Sequence, residues 1–356
     1  MKETMRNEFQ VGLVADLRNS SGQMVFEDFG LEGLDAAGLP YHFLEEDNRP
    51  VNADQLEGVD AVISMGQPYV PSSFHTNSRL SLIARTGVGY EMVDLDAATE
   101  ADVMVTITPS ATRRPVASAT LALILGLCHR VVIKDRIVRE NRWDDRFHHM
   151  GCEIRDRVVG LVGLGHIARE VVTLLPAFSP SRIIACDPAV NADQAQSLGV
   201  ELVSFETLLK DSDFVSIHCP LTTHTQGLIG APELRLMKET AFVVNTARGP
   251  IIDQSALTTA LQHGWIQGAA LDVFTDEPPV KDDPLLSMDN VILGPHSSAW
   301  TYELFRDIGH DCVAATCAVA KGEIPEHVVN SAVLERPGLK AKLQNYKEQH
   351  AQNSNR

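Results

Sequence analysis

No C-x-x-C pair occurs anywhere in the 356 residues, although six cysteines are present (Cys128, Cys152, Cys186, Cys219, Cys312 and Cys317). That excludes a zinc knuckle and a thioredoxin-type redox motif. Six thiols in a chain of this length make no disulfide scaffold and read as reduced cysteines. Positive charge is in the minority, 30 Lys+Arg against 47 Asp+Glu, for a net charge of −17. A chain so acidic is not built to neutralise phosphates along nucleic acid; its charge reads as solubility. Long apolar runs are also missing. The longest mainly apolar stretch, Ala119 to Cys128, falls well short of the ~20 residues that span a bilayer. The opening Met-Lys-Glu-Thr-Met-Arg-Asn-Glu is too polar for a signal peptide. The adjacent His148 and His149 form no zinc motif. The expectation is therefore a cytoplasmic protein with no metal and no dealings with nucleic acid or membrane.

What is present is ordinary globular composition, 44% hydrophobic and 22% charged. At roughly 100–200 residues per domain the length predicts two domains. Short apolar runs alternate with helical patterns, which reads as α/β with parallel sheets. Strands are expected at Val11–Ala15, Ala61–Ser64, Leu82–Ala84 and Val103–Ile107. A second series runs through Val158–Val162, Ile183–Cys186, Glu201–Val203, Phe214–His218, Phe242–Asn245, Ala269–Val273 and Val291–Leu293. Between the two series, Pro115 to about Asn141 reads as one long helix with a first-turn proline. A last helix is expected from about Thr301 to Ala320, and the polar tail from about Leu339 is expected to fray.

The segment Val158-Val-Gly-Leu-Val-Gly163-Leu-Gly165-His166-Ile167-Ala168 is a strand feeding a G-x-G-x-x-A turn. Gly163 permits the tight turn, Gly165 lets backbone approach a pyrophosphate, and Ala168 keeps the helix close to the strand. The helix N-terminus supplies amides and a positive dipole end for the anion. Asp187 follows 22 residues after Gly165, at the end of the next strand, where a carboxylate accepts hydrogen bonds from ribose hydroxyls. Residues 187 to 193 hold no Arg or Lys for a 2′-phosphate. NAD is thus expected over NADP.

Three polar residues stand just past later strands: Arg248, Glu277 and His296. Taken singly, each also suits a cap, a solvated loop or a turn. Together they lie at the carboxyl ends of strands in one nucleotide-binding sheet, where ligands of open α/β sheets bind.

These motifs resemble the D-isomer-specific 2-hydroxyacid dehydrogenases. The resemblance is carried by Val162-Gly-Leu-Gly-His-Ile167, by His218-Cys-Pro-Leu-Thr-Thr-His-Thr225 through Val244-Asn-Thr-Ala-Arg-Gly249, and by Asp272 to His296. Arg85-Thr-Gly-Val-Gly89 with Val93-Asp-Leu matches as well. It implies two Rossmann-like doubly wound domains. A nucleotide-binding domain of residues 110–302 would be inserted in a flavodoxin-like substrate domain of residues 1–109 and 303–335, with 336–356 as a polar tail. It implies hydride transfer between C2 of a 2-hydroxy acid and nicotinamide, in a homodimer joined through the nucleotide-binding domain. His296 would be proton donor and acceptor, Glu277 its orienting carboxylate, and Arg248 the anchor of the substrate carboxylate and 2-oxo oxygen. Amides of Val88 and Gly89 would form a second carboxylate clamp. Thr120, Cys219, Pro220, Thr225, Thr246, Ala247 and Asp272 match cofactor-lining positions, with Asp272 near the nicotinamide carboxamide.

The chain departs from the family at Val116-Ala-Ser118, where Val-Ala-Glu is usual, and at Tyr90-Glu-Met92. Gly294 replaces the usual Thr before Pro-His, and Ser297-Ser-Ala299 follows where Ile-Ala-Gly is common. Arg113 and Arg114 begin the long helix; either could bind a second acidic end of a substrate, or pair with surface carboxylates. Trp143, His148 and His149 suit a lid, a dimer contact or a plain polar loop. Formate- or phosphite-type chemistry on the same fold, and an NAD(H)-sensing scaffold resembling the C-terminal-binding corepressors, are the alternatives.

Overall fold

The computed structural model describes residues 8–45, 48–75 and 78–354. The chain folds as two compact units, one of Met1–Thr112 with Trp300–Arg356 and one of Arg113–Ala299. The first contains five parallel strands: β1 (Val11–Leu13), β2 (Tyr41–Phe43), β3 (Ala61–Ser64), β4 (Leu82–Arg85) and β5 (Met104–Thr106). Their order is β2-β1-β3-β4-β5, the flavodoxin-like arrangement. The sequence does not announce β2, whose three residues include none that is buried; its pairing with β1 makes it a strand.

Helix Tyr302–Ala320 belongs to this unit and starts where Thr301 Oγ1 accepts the Leu304 amide. Its apolar stripe of Leu304, Phe305, Ile308, Cys312, Val313 and Val319 is buried. Up to Ser354 the tail is ordered rather than frayed. It forms helix Pro337–Ser354, burying Leu339, Leu343 and Tyr346. These three sit at i, i+4 and i+7, a single stripe in an otherwise polar segment. The Tyr346 hydroxyl donates to Asp60 Oδ1 at 2.9 Å and to Arg79 O at 3.0 Å, so two partners far back in the chain pin it.

The second unit carries seven parallel strands: β6 (Val158–Val162), β7 (Arg182–Cys186), β8 (Glu201–Leu202), β9 (Phe214–Ile217), β10 (Phe242–Asn245), β11 (Gly268–Leu271) and β12 (Val291–Leu293). Their order is β12-β11-β10-β9-β6-β7-β8. Both faces are buried, as parallel sheets require, and successive residues serve opposite cores. Val159, Leu161, Phe214, Phe242, Val244 and Ala270 enter one cluster. Val162, Val215, Ile217, Val243, Ala269 and Leu271 enter the other. The order reverses between β6 and β9, which puts the ligand-binding crevice of such a sheet at their carboxyl ends.

The single long helix expected from Pro115 to Asn141 is two. Helix Pro109–Cys128 takes Pro109 as its first residue and holds Pro115 inside, where no N–H is left for the carbonyl of Ala111. After a bend of 60° comes helix Val131–Arg139. Arg130 between them is left-handed, with φ of 55°, and such a residue ends a right-handed helix.

Candidate active site

The switch point between β6 and β9 is built from glycine. Gly163 has φ of 93°, and a Cβ there would press on Cys219 N at 2.8 Å. Only glycine both turns there and lets the β6 loop approach the β9 loop. Gly165 faces open space at the start of helix His166–Leu174. Asp187 comes to this loop from the end of β7, its Oδ2 accepting the Leu164 amide at 2.7 Å and its Oδ1 the Ala189 amide at 2.8 Å. A helix N-terminus with an open Gly165 and the Asp187 carboxylate fixed to the Leu164 amide fits a dinucleotide's pyrophosphate and ribose.

Two strands away, β10 ends in Asn245, which is buried and spends its amide on the following loop. Its Oδ1 accepts the Ala247 amide at 3.0 Å and its Nδ2 donates to Arg248 O at 2.9 Å. Gly249 comes next, and a Cβ there would collide with the backbone of Phe274. The Arg248 loop therefore lies directly against the loop that carries Glu277. Glu277 Oε1 accepts the Phe274 amide at 3.1 Å, and Oε2 meets His296 Nδ1 at 2.7 Å. Burial alone would raise the Glu277 carboxyl. The His296 bond, the Phe274 amide, and the charges of His296 and Arg248 outweigh it and hold the group below the ordinary glutamate range. An imidazole bonded to a carboxylate, with a guanidinium charge acting on that carboxylate, is an arrangement that can move a proton next to a bound anion. The description "D-isomer specific 2-hydroxyacid dehydrogenase, NAD binding domain" belongs to the family whose model matches residues 121–298.

The chain belongs to the D-isomer-specific 2-hydroxyacid dehydrogenase family. It is 38% identical over 292 residues to a glyoxylate reductase of Korarchaeum cryptofilum, covering 81% of this chain and 88% of that one. It is 37% identical over 319 residues to a D-3-phosphoglycerate dehydrogenase of Methanocaldococcus jannaschii, covering 89% of this chain and 59% of the relative. The crystal structure of a glyoxylate reductase from Paecilomyes thermophila superposes with a TM-score of 0.77 at 27% identity, over 91% of this chain and 99% of that one. The protein is an NAD-dependent oxidoreductase that interconverts 2-hydroxy and 2-oxo acids.

Other positions singled out in the sequence of this 2-hydroxyacid dehydrogenase have definite surroundings. Asp272 is buried, and its Oδ1 accepts the Ser297 amide, the Ser298 amide and the Ser298 hydroxyl at 3.1, 3.1 and 2.7 Å. It anchors the His296 turn, whose amide also donates to Asp272 O at 2.8 Å. Gly294 is explained by the same contacts: a Cβ there would collide with Asp272 Oδ1 and stand 2.5 Å from Ser298 Oγ. The serine occupies the space that a threonine at 294 would need. Thr225 Oγ1 donates to Pro220 O at 2.6 Å and shapes the loop after Cys219. Thr120 and Thr246 share a hydroxyl contact of 3.1 Å. His166 and Ile167 open the glycine-loop helix.

Val88 and Gly89 lie in the other unit, in the turn after β4, where Gly89 O accepts Arg85 Nε at 2.8 Å. Arg114 does not stand free. Its NH1 is 2.9 Å from Glu170 Oε1, and Arg113 Nε is 3.3 Å from Glu170 Oε2. Asn245 and Gly249 enter the sequence motifs without a role of their own, and Ser298 only as a departure from the family. Of the three, Asn245 has a local signal, a polar residue closing an otherwise apolar strand.

Proposed function

We propose that the chain reduces a 2-oxo acid to the D-2-hydroxy acid with NADH in preference to NADPH, and that His296 moves the proton. The observation that carries this is the 2.7 Å bond between His296 Nδ1 and Glu277 Oε2. With Nδ1 committed to a carboxylate, Nε2 is the nitrogen that presents a proton to the 2-oxo oxygen and recovers it in the reverse direction. Glu277 fixes the ring and balances the charge of the imidazolium. Arg248 holds the substrate carboxylate by charge-assisted bonds and draws electron density from the carbonyl. The amides of Val88 and Gly89 complete the carboxylate clamp. Bound nicotinamide supplies the hydride.

Gly163, Gly165, His166 and Ile167 would hold the pyrophosphate, Asp187 the ribose, and Cys219, Pro220, Thr225, Thr246, Ala247 and Thr120 the rest of the dinucleotide. The absence of Lys and Arg from residues 187 to 193 supports NADH. In this reading residues 1–109 and 303–335 form the substrate domain, residues 110–302 the nucleotide domain, and two copies pair through the latter. The names of the relatives favour glyoxylate as the first acid to try.

The experiment follows NADH and NADPH consumption against glyoxylate, hydroxypyruvate, pyruvate, oxaloacetate, branched-chain 2-oxo acids and phosphohydroxypyruvate. Turnover with NADH is expected on at least one of them. His296→Ala should lose at least ~100-fold in kcat with NADH binding nearly intact. Equal loss of binding and turnover would remove His296 as proton donor. Silence on every acid, with NADH still bound, would overturn the reductase. Preference for phosphohydroxypyruvate would mean that Arg114 leaves Glu170 for a second anionic end.

A further inference from the structure

Cys128 and Cys152 lie 24 positions apart in sequence and meet in the fold. The Cys152 amide donates to Cys128 O at 2.8 Å. Covalent geometry on either side of that contact keeps the two Cα atoms within about 6.7 Å of each other, inside the range a disulfide spans. The approach is built in. Gly151 lies against Cys128, and any Cβ there would collide with the Cys128 carbonyl oxygen. The two thiols also act on one another. Contact with Cys128, reinforced by the charges of Arg157 and Arg130, holds the Cys152 thiol below the ordinary cysteine range against burial and the charge of Asp213. Its partner Cys128 is driven up by the same contact and by burial. By contrast, burial raises Cys186, Cys219, Cys312 and Cys317. Cys152 is partly accessible, whereas Cys128 is buried.

From this geometry we infer that Cys128 and Cys152 form a reversible dithiol–disulfide couple, with Cys152 as the attacking thiolate and Cys128 as the resolving thiol. The oxidant is a hydroperoxide. The Cys152 sulfur attacks its terminal oxygen, an S–O bond forms, the O–O bond breaks, and an alcohol (water from hydrogen peroxide) leaves with a proton. The Cys128 sulfur then attacks the sulfenic sulfur. The S–S bond forms, the S–O bond breaks, and hydroxide departs as water with the Cys128 proton. Two thiols are oxidised and one hydroperoxide is reduced.

The bond would close a loop of about 25 residues that contains helix Val131–Arg139 and the turn Trp143–His148. Loop closure on that scale should raise the melting temperature by roughly 5 °C or more. No nicotinamide chemistry enters the step, so its test is independent of the reductase activity.

The test treats the full chain with hydrogen peroxide, blocks remaining thiols with N-ethylmaleimide, and maps disulfides by mass spectrometry without reduction. A Cys128–Cys152 linked peptide is expected, with a raised melting temperature, both reversed by dithiothreitol. In Cys152→Ser, Cys128 should stay a thiol under the same treatment. Three outcomes would overturn the inference: Cys152 over-oxidised to sulfinic or sulfonic acid beside a free Cys128, either cysteine linked elsewhere, or both still free thiols. A linked species that melts lower would show that the bond does not fit the native backbone, and would overturn it too.

Discussion

His296 pays a conformational cost for its position. Its φ of 54° is left-handed, which costs a non-glycine residue roughly 1–2 kcal/mol. Four donors offset this: the His296 amide on Asp272 O, and the Ser297 amide, Ser298 amide and Ser298 hydroxyl on the Asp272 carboxylate. At about 0.5–1.5 kcal/mol each they exceed the strain, so the turn holds the imidazole where Glu277 meets it. Glu277→Gln keeps the shape of that contact and removes its charge. That loss weakens the bond that fixes the ring and takes away the charge that balances the proton the ring carries, so kcat should fall ~10–100-fold at neutral pH with NADH binding nearly unchanged. Steady-state kinetics and NADH titration of both proteins decide it. An unchanged kcat would remove Glu277 as the orienting carboxylate. Arg248, Glu277 and His296 were legible because each follows a recognisable strand. The left-handed turn and Gly249 were not, because what demands them, Asp272 and the backbone of Phe274, arrives from elsewhere in the chain.

Single elements differ in how much of their reason is local. Strand β10 reads directly, since four apolar or closing residues between polar loops have no other use in an α/β chain. The C-terminal helix does not. Its mean composition is polar, and the three residues that bind it are only three among many solvated ones. What orders it is Asp60, just before β3, which also takes Arg79 Nε at 3.0 Å and the Gln10 amide at 2.8 Å. Tyr346→Phe should thus cost about 1–2 kcal/mol, a fall of roughly 3–6 °C in melting temperature, by removing the single hydroxyl donor that Asp60 and Arg79 O share. Leu343→Ala should cost more, about 2–4 kcal/mol, because its side chain is 8% exposed and leaves a cavity. Thermal unfolding of both, followed by circular dichroism, tests the pair. Variants that melt with the native chain would show the helix to be an ornament on the first unit.

At the scale of the whole molecule, the two-faced burial of β6–β12 accounts for why the second unit's architecture was readable. The central strands β6, β9, β10 and β11 are buried on both sides, so helices must cover both. The net charge is −17, and among the described residues the segment 131–150 gathers exposed apolar side chains. Val131, Val132, Val138, Trp143, Phe147 and Met150 are all exposed there, Phe147 at 68% and Met150 at 77%. Monomers rarely leave so many large apolar side chains in water along one stretch, and a second copy of this chain is the partner the homodimer proposal supplies. Self-association by a two-fold axis brings the same segment, or its complement, from each copy. It must also overcome like-charge repulsion, which salt screens. Sedimentation at micromolar concentration should therefore give twice the chain's mass, with the dimer firmer as ionic strength rises. Val138→Asp should shift it towards monomer, placing a charge where a partner must be dry. A native chain that sediments as a monomer in both low and high salt would end the dimer proposal and leave that apolar stretch without a partner.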